Sequence, residues 1–328
     1  MIPTPVCDAI VITGATGAGK SELAIEVAER LNGAIISADS RQVYRSMDVG
    51  TAKPPESDRR RVPHFGIDTL EPDEAYSAGR FARDAWCWID EIRESGRVPL
   101  IVGGTGFFIH ALLSPLGPEP ELDPERRTLL RRYLQGRSTE VLKTWLNRLD
   151  PERGEQLHDE GGNQRLARSL EVTLLSGRPH SWWLSQRPGT PALSAVVFCL
   201  QLSRETLYQQ VNGRFERMMA DGLLEEVRRL LEIHPADAPG MKSVGYAELA
   251  RHLRGESSLE DAVEEAKRST RRFVRRQLTW FRHQLPEDTV WLEASRPRED
   301  LVAEIRRTWN DRSGCTGSTT RPPIASVD

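Results

Sequence analysis

The first residues that could do chemistry form a phosphate-binding loop near the N-terminus. The stretch GATGAGKS satisfies the pattern G-x-x-x-x-G-K-[ST], and it lies between an apolar strand pattern and a helical pattern, which is the context that this motif needs. Backbone N–H groups and the positive end of a helix dipole bind phosphate oxygens, while the lysine adds charge and the serine can bind Mg²⁺. We therefore predict phosphate binding by Gly14, Ala15, Thr16, Gly17, Ala18, Gly19, Lys20 and Ser21.

Two further candidates come directly after later apolar segments. Asp39 follows AIIS, and Thr105 follows VPLIVGG. Because the carboxyl ends of parallel strands meet at one edge of a sheet, we expect both residues near Lys20 and Ser21. A carboxylate beside a phosphate site is unfavourable unless Mg²⁺ or a reacting proton lies between them, so Asp39 is a candidate general base or hydrogen-bond acceptor. A turn or helix-cap role is the alternative.

The strand pattern VPLIV ends in Gly103, Gly104 and Thr105 and offers no carboxylate. Hydrolytic P-loop proteins use an aspartate at such a position to organise Mg²⁺ and water. Its absence argues against a motor or switch NTPase.

A basic segment near the C-terminus, KRSTRRFVRRQLTWFR, contains seven cations and no acid. Helical spacing places five arginines in one arc and a set of apolar residues in the opposite arc. The lack of interleaved acids favours an anionic partner such as RNA, through Arg272 and Arg276, although a solvated surface is the alternative. The arginines are Arg268, Arg271, Arg272, Arg275 and Arg276, and the apolar residues expected to pack are Phe273, Val274, Leu278, Trp280 and Phe281.

The bulk composition is that of a globular protein. The 328 residues carry a net charge of -3 and are 38% hydrophobic, which argues against a protein that coats nucleic acid along its whole surface. Neither a signal peptide nor a membrane span is recognisable, so we expect a cytoplasmic protein without a membrane partner. The four cysteines are far apart and indicate neither a zinc site nor a disulfide framework.

These candidates require an α/β fold in which strands alternate with helices. The patterns predict a P-loop doubly wound parallel sheet with an inserted all-helical subdomain and C-terminal helices. Long helices are expected over residues 204–233 and 257–284. We predict a first part of the core over 1–117, the helical insertion over 118–190, completion of the core over 191–309, and a disordered tail over 310–328, which is rich in Gly, Ser, Thr and Pro.

Several of these stretches, taken in order, resemble the bacterial-type tRNA dimethylallyltransferases, also called tRNA isopentenyltransferases. The resemblance covers roughly residues 8 to 285 and is most specific in the block DSRQVYRSMDVGTAKP. The other matching stretches are GATGAGKS, PHFGIDTLEPDEAYSAGRFARDA, PLIVGGTGFFIHALL, VGYAEL and TRRFVRRQLTWFR.

The resemblance implies transfer of a dimethylallyl group from its diphosphate to N6 of adenine 37 in tRNAs that read codons beginning with U. It implies that residues 14–21 hold the leaving diphosphate with Mg²⁺ on Ser21, that Asp39 accepts the N6 proton, that Thr105 bonds near the transferring centre and that Arg214 grips diphosphate. It also implies a monomer whose insertion clamps the anticodon stem-loop. The implied tRNA contacts are Asp39, Ser40, Arg41, Gln42, Thr105, Arg127, Gln164, Arg165, Leu166, Ala167 and Arg168.

The chain departs from the family at Gln210, where arginine is common, which removes one expected cation. It also lacks the C-terminal zinc finger of eukaryotic relatives. The alternatives are a P-loop small-molecule kinase and a non-catalytic, nucleotide-dependent RNA-binding protein. A kinase rarely carries an insertion of this size together with a basic C-terminal helix, and a non-catalytic protein would leave Asp39 and Thr105 without a task.

Overall fold

The computed structural model describes residues 7–115, 117–158 and 162–313. These residues form two compact units, one from residues up to 114 together with those from 192 onward, and one from 115 to 191. We call them the core unit and the insertion. We had expected the insertion to span residues 118–190.

The core unit contains a six-stranded sheet whose strands are all parallel, in the order β3-β2-β4-β1-β5-β6. This confirms the predicted α/β class. The short strands β3 and β6 have no counterpart in the sequence prediction, since segments of two and four residues are too short to show a periodic pattern. The strands are β1 (Ala9–Gly14), β2 (Gly33–Ser37), β3 (His64–Phe65), β4 (Val98–Gly103), β5 (Ala195–Gln201) and β6 (Val290–Glu293).

Helices cover the sheet and complete the core unit. Side chains of α1, α10, α13 and α14 join the strands in one apolar cluster, while α11, α12 and the start of α13 form a second cluster with residues 43–47. The helices of this unit are α1 (Lys20–Leu31), α2 (Glu56–Arg61), α3 (Ala78–Glu94), α4 (Gly106–Leu113), α10 (Arg204–Ala220), α11 (Leu223–Ile233), α12 (Tyr246–Leu253), α13 (Leu259–Gln284) and α14 (Arg298–Ser313).

The secondary structure of the insertion consists of helices, with no strand among its described residues, as predicted. Its apolar core is built from leucines of three helices, including Leu142, Leu146 and Leu170. Its helices are α5 (Pro124–Gln135), α6 (Thr139–Leu149), α7 (Pro151–Gln156), α8 (Asn163–Ser176) and α9 (His180–Ser185).

Two predicted element boundaries were wrong. The helix expected over 204–233 divides into α10 and α11, because Gly222 adopts a φ of 98°, which does not continue a right-handed helix. Residues 310–313 of the tail expected over 310–328 are helical, because α14 continues to Ser313, with Trp309 buried against the sheet core. The remainder of that tail lies outside the described residues. No described helix combines the length and apolar character needed to cross a membrane.

Candidate functional site

The phosphate-binding loop joins β1 to α1 at the carboxyl edge of the sheet. Gly19 caps the helix with a φ of 81°, a conformation that side chains other than glycine rarely adopt. The first turn of α1 therefore directs its free N–H groups and its positive dipole end toward the loop. Lys20 crosses the loop and its Nζ donates a hydrogen bond of 2.8 Å to the carbonyl of Ala15.

The electrostatics of Lys20 suit an anion. Burial lowers the pKa of its ammonium to about 8, nearby Asp39 opposes this decrease, and Arg214 adds to it. Burial also lowers the pKa of the Arg214 guanidinium, and Asp39 again raises it. The two cations and the carboxylate thus act on one another at the edge of the sheet.

Asp39 and Thr105 lie at the ends of adjacent strands, β2 and β4. The backbone N–H of Thr105 donates a hydrogen bond to the carbonyl of Ala38 at 3.2 Å, and its Oγ1 accepts one from the N–H of Ser40 at 3.0 Å. One oxygen of Asp39 accepts the N–H of Arg41 at 2.8 Å. The close approach depends on Gly103, where a Cβ atom would overlap the backbone of Ala38. The structure therefore brings together Lys20, Asp39 and Thr105 at adjacent strand ends, as expected.

Arg214 reaches the site from α10. It is half-buried, and its Nη2 donates to the carbonyl of Thr51 at 3.4 Å. The loop that carries Thr51 is itself held by Glu226, whose buried carboxylate accepts the N–H groups of residues 48, 49 and 50 at 2.8–3.2 Å. Glu226 was not among the residues predicted from the sequence. An acid on the apolar face of α11, next to Val227 and Leu230, was the available signal.

Gln210 lies on the same helix, beside the tip of the phosphate-binding loop. A Cβ atom built on Gly17 would lie 3.7 Å from the Cβ of Gln210 and 3.8 Å from its Oε1. An amide therefore lies beside this loop, where the resemblance led us to expect an arginine.

The core-unit residues expected to contact tRNA differ in their surroundings. Gln42 is engaged within the protein, since its amide bonds to the carbonyls of Thr51 and Ala52 and to the hydroxyl of Ser37. The guanidinium of Arg41 donates to the carbonyl of Pro239 at 3.1 Å. Both contacts order the loop after β2.

Helix α13 presents Arg272 and Arg276 to solvent. The expectation that Phe273 packs in the core was wrong, because this ring is 37% exposed and the guanidinium of Arg276 lies over it, 5.9 Å from its centroid. Val274 and Phe281 are buried as expected. An exposed aromatic ring beside arginines adds a surface on which a nucleic acid base can stack.

In the insertion, a buried carboxylate gathers three arginines. Glu171 accepts from Arg127 at 2.6 Å and from Arg131 at 2.7 Å, and it also pairs with Arg168. The neighbouring arginines keep the pKa of Glu171 low despite its burial. Arg168 also pairs with Glu119 at 3.2 Å, so three cations face two anions and the cluster keeps one net positive charge.

The remaining predicted residues of the insertion lie on α8. Gln164 and Arg165 are exposed, Ala167 is half-buried, and Leu166 is 1% exposed within the apolar core of the insertion. Among these four, only Gln164 and Arg165 present side chains fully to solvent.

One buried polar side chain next to the phosphate-binding loop was absent from the sequence prediction. Gln277 of α13 accepts the N–H of Thr16 and donates to the carbonyl of Gly104. Val274, Gln277 and Phe281 follow the i, i+3, i+7 spacing of a buried helix face, so an amide at the middle position was a detectable signal.

The described residues contain no group of three or more His, Cys, Asp or Glu side chains that could hold a metal ion. A cation at the phosphate-binding loop would depend on oxygens of a bound phosphate. The cysteines within the described residues, Cys7, Cys87 and Cys199, are free thiols.

The chain is similar to known protein families and to curated proteins. A family model described as IPP transferase matches residues 42–284, and one described as isopentenyl transferase matches residues 7–63. The chain is 42% identical over 286 residues to tRNA dimethylallyltransferase 1 of Citrifermentans bemidjiense, covering 87% of this chain and 91% of that relative. It is 40% identical over 308 residues to the tRNA dimethylallyltransferase of Pelotomaculum thermopropionicum, covering 91% and 95%.

Solved structures show the same similarity. The full-length tRNA isopentenylpyrophosphate transferase of Bacillus halodurans superposes with a TM-score of 0.68 at 31% identity, covering 93% of this chain and 96% of that one. A eukaryotic dimethylallyltransferase, described as acting on tRNA, superposes with a TM-score of 0.76 at 26% identity, covering 96% and 82%.

Proposed function

Because this chain belongs to the tRNA dimethylallyltransferase family, we propose that it transfers a dimethylallyl group from dimethylallyl diphosphate to N6 of adenine 37 in tRNAs that read codons beginning with U. The observation that carries this proposal is the electrostatic grouping of Lys20, Arg214 and Asp39 at one edge of the sheet. The two cations can stabilise the negative charge of the leaving diphosphate, and the carboxylate can accept the proton that leaves the amine.

The leaving group is stabilised by the phosphate-binding loop. Allylic diphosphates ionise readily once the charge that develops on the diphosphate is neutralised. The N–H groups at the start of α1, the ammonium of Lys20 and the guanidinium of Arg214 supply that neutralisation. The C–O bond to diphosphate breaks as the new bond from N6 to the allylic carbon forms, so no phosphoryl group moves.

Asp39 completes the proton balance. An exocyclic amine conjugated to a purine is a poor nucleophile, and it becomes competent as its proton passes to a general base. Asp39 takes that proton, and its orientation is held by the N–H of Arg41. Thr105 presents its hydroxyl next to Ser40, at the neighbouring strand end, for a hydrogen bond near the transferring centre.

Mg²⁺ fits this site as a partner of the substrate. Ser21 is exposed in the first turn of α1, and its hydroxyl makes no hydrogen bond within the described ranges. Mg²⁺ commonly keeps several waters and binds through few protein groups together with substrate phosphates. Ser21 would hold the ion, which when bound supplies further neutralisation of the diphosphate.

The basic surfaces are the proposed binding sites for the RNA. Arg272 and Arg276 on α13, and the arginines around Glu171 in the insertion, supply contacts to phosphates, which position an RNA without reading its sequence. The target adenine must leave the stacked anticodon loop to reach Asp39, as enzymes that act on a base commonly require. Ser40, Arg41 and Gln42 follow Asp39 in the loop after β2 and would contact the RNA there.

We further propose that the enzyme acts in the cytoplasm, where tRNA is available to it, and that it is a monomer.

A single assay distinguishes this function from the alternatives. Purified protein is incubated with unmodified tRNA and radiolabelled dimethylallyl diphosphate, and in parallel with labelled ATP. We expect label from the prenyl donor to enter tRNA without ATP. Phosphate transfer from ATP to a small molecule would support a kinase, and RNA binding without turnover would support a non-catalytic protein; either result would overturn the proposal.

A further inference from the structure

Gln277 connects two loops of the site from within the protein core. Its side chain lies on α13 between Val274 and Phe281, and the residue is only 6% exposed. Its Oε1 accepts the N–H of Thr16 at 2.9 Å, and its Nε2 donates to the carbonyl of Gly104 at 2.8 Å. One amide therefore joins the loop after β1 to the loop after β4.

Both of these loops have proposed chemical tasks. Thr16 belongs to the loop that holds the leaving diphosphate, and Gly104 directly precedes Thr105. The packing is close, because a Cβ atom on Gly104 would lie 2.6 Å from Nε2 of Gln277 and 3.7 Å from Nζ of Lys20. A change in the side chain at position 277 is therefore felt at both loops.

An amide is a costly choice for this buried position unless its hydrogen bonds matter. Burying an amide is unfavourable without partners, whereas a leucine or methionine of similar volume would pack without that requirement. The amide also provides hydrogen-bond partners for one backbone N–H and one backbone carbonyl that lie outside the sheet. Because both bonds run to loop backbone, they fix the separation of the loops.

We infer that Gln277 is a positioning residue that holds the diphosphate-binding loop in register with Thr105 and the neighbouring acceptor Asp39. The inference rests on the proposed function. Transfer requires the allylic carbon, held through its diphosphate, to meet the amine held near Asp39, and a misplacement of about 1 Å can cost about a hundredfold in rate. Gln277 touches neither reacting atom and acts through the two loops.

The test compares three variants on α13. Gln277→Met keeps the length of the side chain and removes both hydrogen bonds. Val274→Ala opens a cavity one turn earlier and loosens the same packing without touching either loop bond. Gln284→Met makes the same chemical change at an exposed position of the helix.

Single-turnover transfer at saturating donor and tRNA is measured for each folded variant, together with tRNA affinity and melting temperature. We expect Gln277→Met to lose at least about tenfold in rate with unchanged tRNA affinity, while the other two variants stay within a factor of about two of the parent. The inference is overturned if Gln277→Met matches Val274→Ala, because general loosening would then explain the effect.

The outcome for the parent protein separates the two proposals. If the parent transfers no label, the proposed function fails and the inference fails with it. If the parent and Gln284→Met are active and Gln277→Met is equally active, only the positioning role is refuted.

Discussion

The pKa of Lys20 makes binding of the prenyl donor dependent on pH. Burial lowers this pKa to about 8 in the free protein, so the ammonium is mostly charged at pH 7 and mostly neutral at pH 9. A bound diphosphate places negative charge beside the ammonium and raises its pKa. Above pH 8 the donor must therefore bind together with a proton, and its affinity decreases.

The size of the effect follows from the two protonation states. With a pKa of about 8, the charged fraction of Lys20 falls from about nine tenths at pH 7 to about one tenth at pH 9. If only the charged form binds strongly, the dissociation constant of dimethylallyl diphosphate rises about tenfold, which corresponds to about 1.4 kcal/mol. The donor itself contributes little to this pH dependence, because the last ionisation of a phosphate group has a pKa of about 6. Cys199 does not interfere, because burial raises its pKa to about 12.

The assay is titration calorimetry of dimethylallyl diphosphate without tRNA, in buffers of different ionisation enthalpy. We expect weaker binding from pH 7 to 9 and uptake of close to one proton per donor above pH 8. The control is Lys20→Arg, whose guanidinium stays charged throughout, so its affinity, whatever its absolute value, should not vary with pH. A flat profile for the parent, or an equal decline in Lys20→Arg, would refute the reasoning.

Three other substitutions test separate parts of the site. Asp39→Asn should lower the single-turnover rate by about a hundredfold or more with tRNA affinity nearly unchanged, because a general base acts in the transition state. Gln210→Arg should tighten donor binding about threefold, as measured by calorimetry, because it places a cation beside Gly17. The control is Gln209→Arg, which adds the same charge on another face of α10 and should have a smaller effect. Glu226→Ala should lower the free energy of unfolding, measured with urea, by about 3 kcal/mol, because three backbone donors lose their acceptor, whereas the exposed Glu232→Ala should change it little.

Each of these expectations can fail clearly. Near-normal transfer by Asp39→Asn would remove this carboxylate from the mechanism. Equal effects of Gln210→Arg and Gln209→Arg would show that net charge alone, and not the place beside Gly17, controls affinity. Equal losses for Glu226→Ala and Glu232→Ala would show that the loop over residues 48–50 does not depend on the buried carboxylate.

Much of the site could be predicted because local rules determine it. The loop at residues 14–21 has a glycine and lysine spacing that only a few backbone conformations satisfy, and Asp39 and Thr105 follow apolar segments that form β2 and β4. Since parallel strands end at one edge of the sheet, their meeting with Lys20 follows from the order of elements alone. The α/β class and the helical nature of the insertion are confirmed for the same reason.

Other features required the tertiary structure. Residues 64–65 show no pattern of their own, and they become β3 because β2 offers a free edge for pairing. Phe273 is a residue type that usually packs in a core. Whether it does so was decided by which face of α13 packs against the sheet. These outcomes depend on contacts between residues distant in the chain.

The sequence by itself determined the phosphate-binding loop, the succession of strands and helices, and the edge at which the candidate residues would gather, because these depend on local spacing and on the geometry common to parallel sheets. Only the tertiary structure decided which buried polar groups hold that edge in place. Gln277 is 261 residues from Thr16, and Glu226 is 178 residues from Asp48. Their hydrogen bonds arise when packing buries both partners, and local spacing carries no information about such pairs.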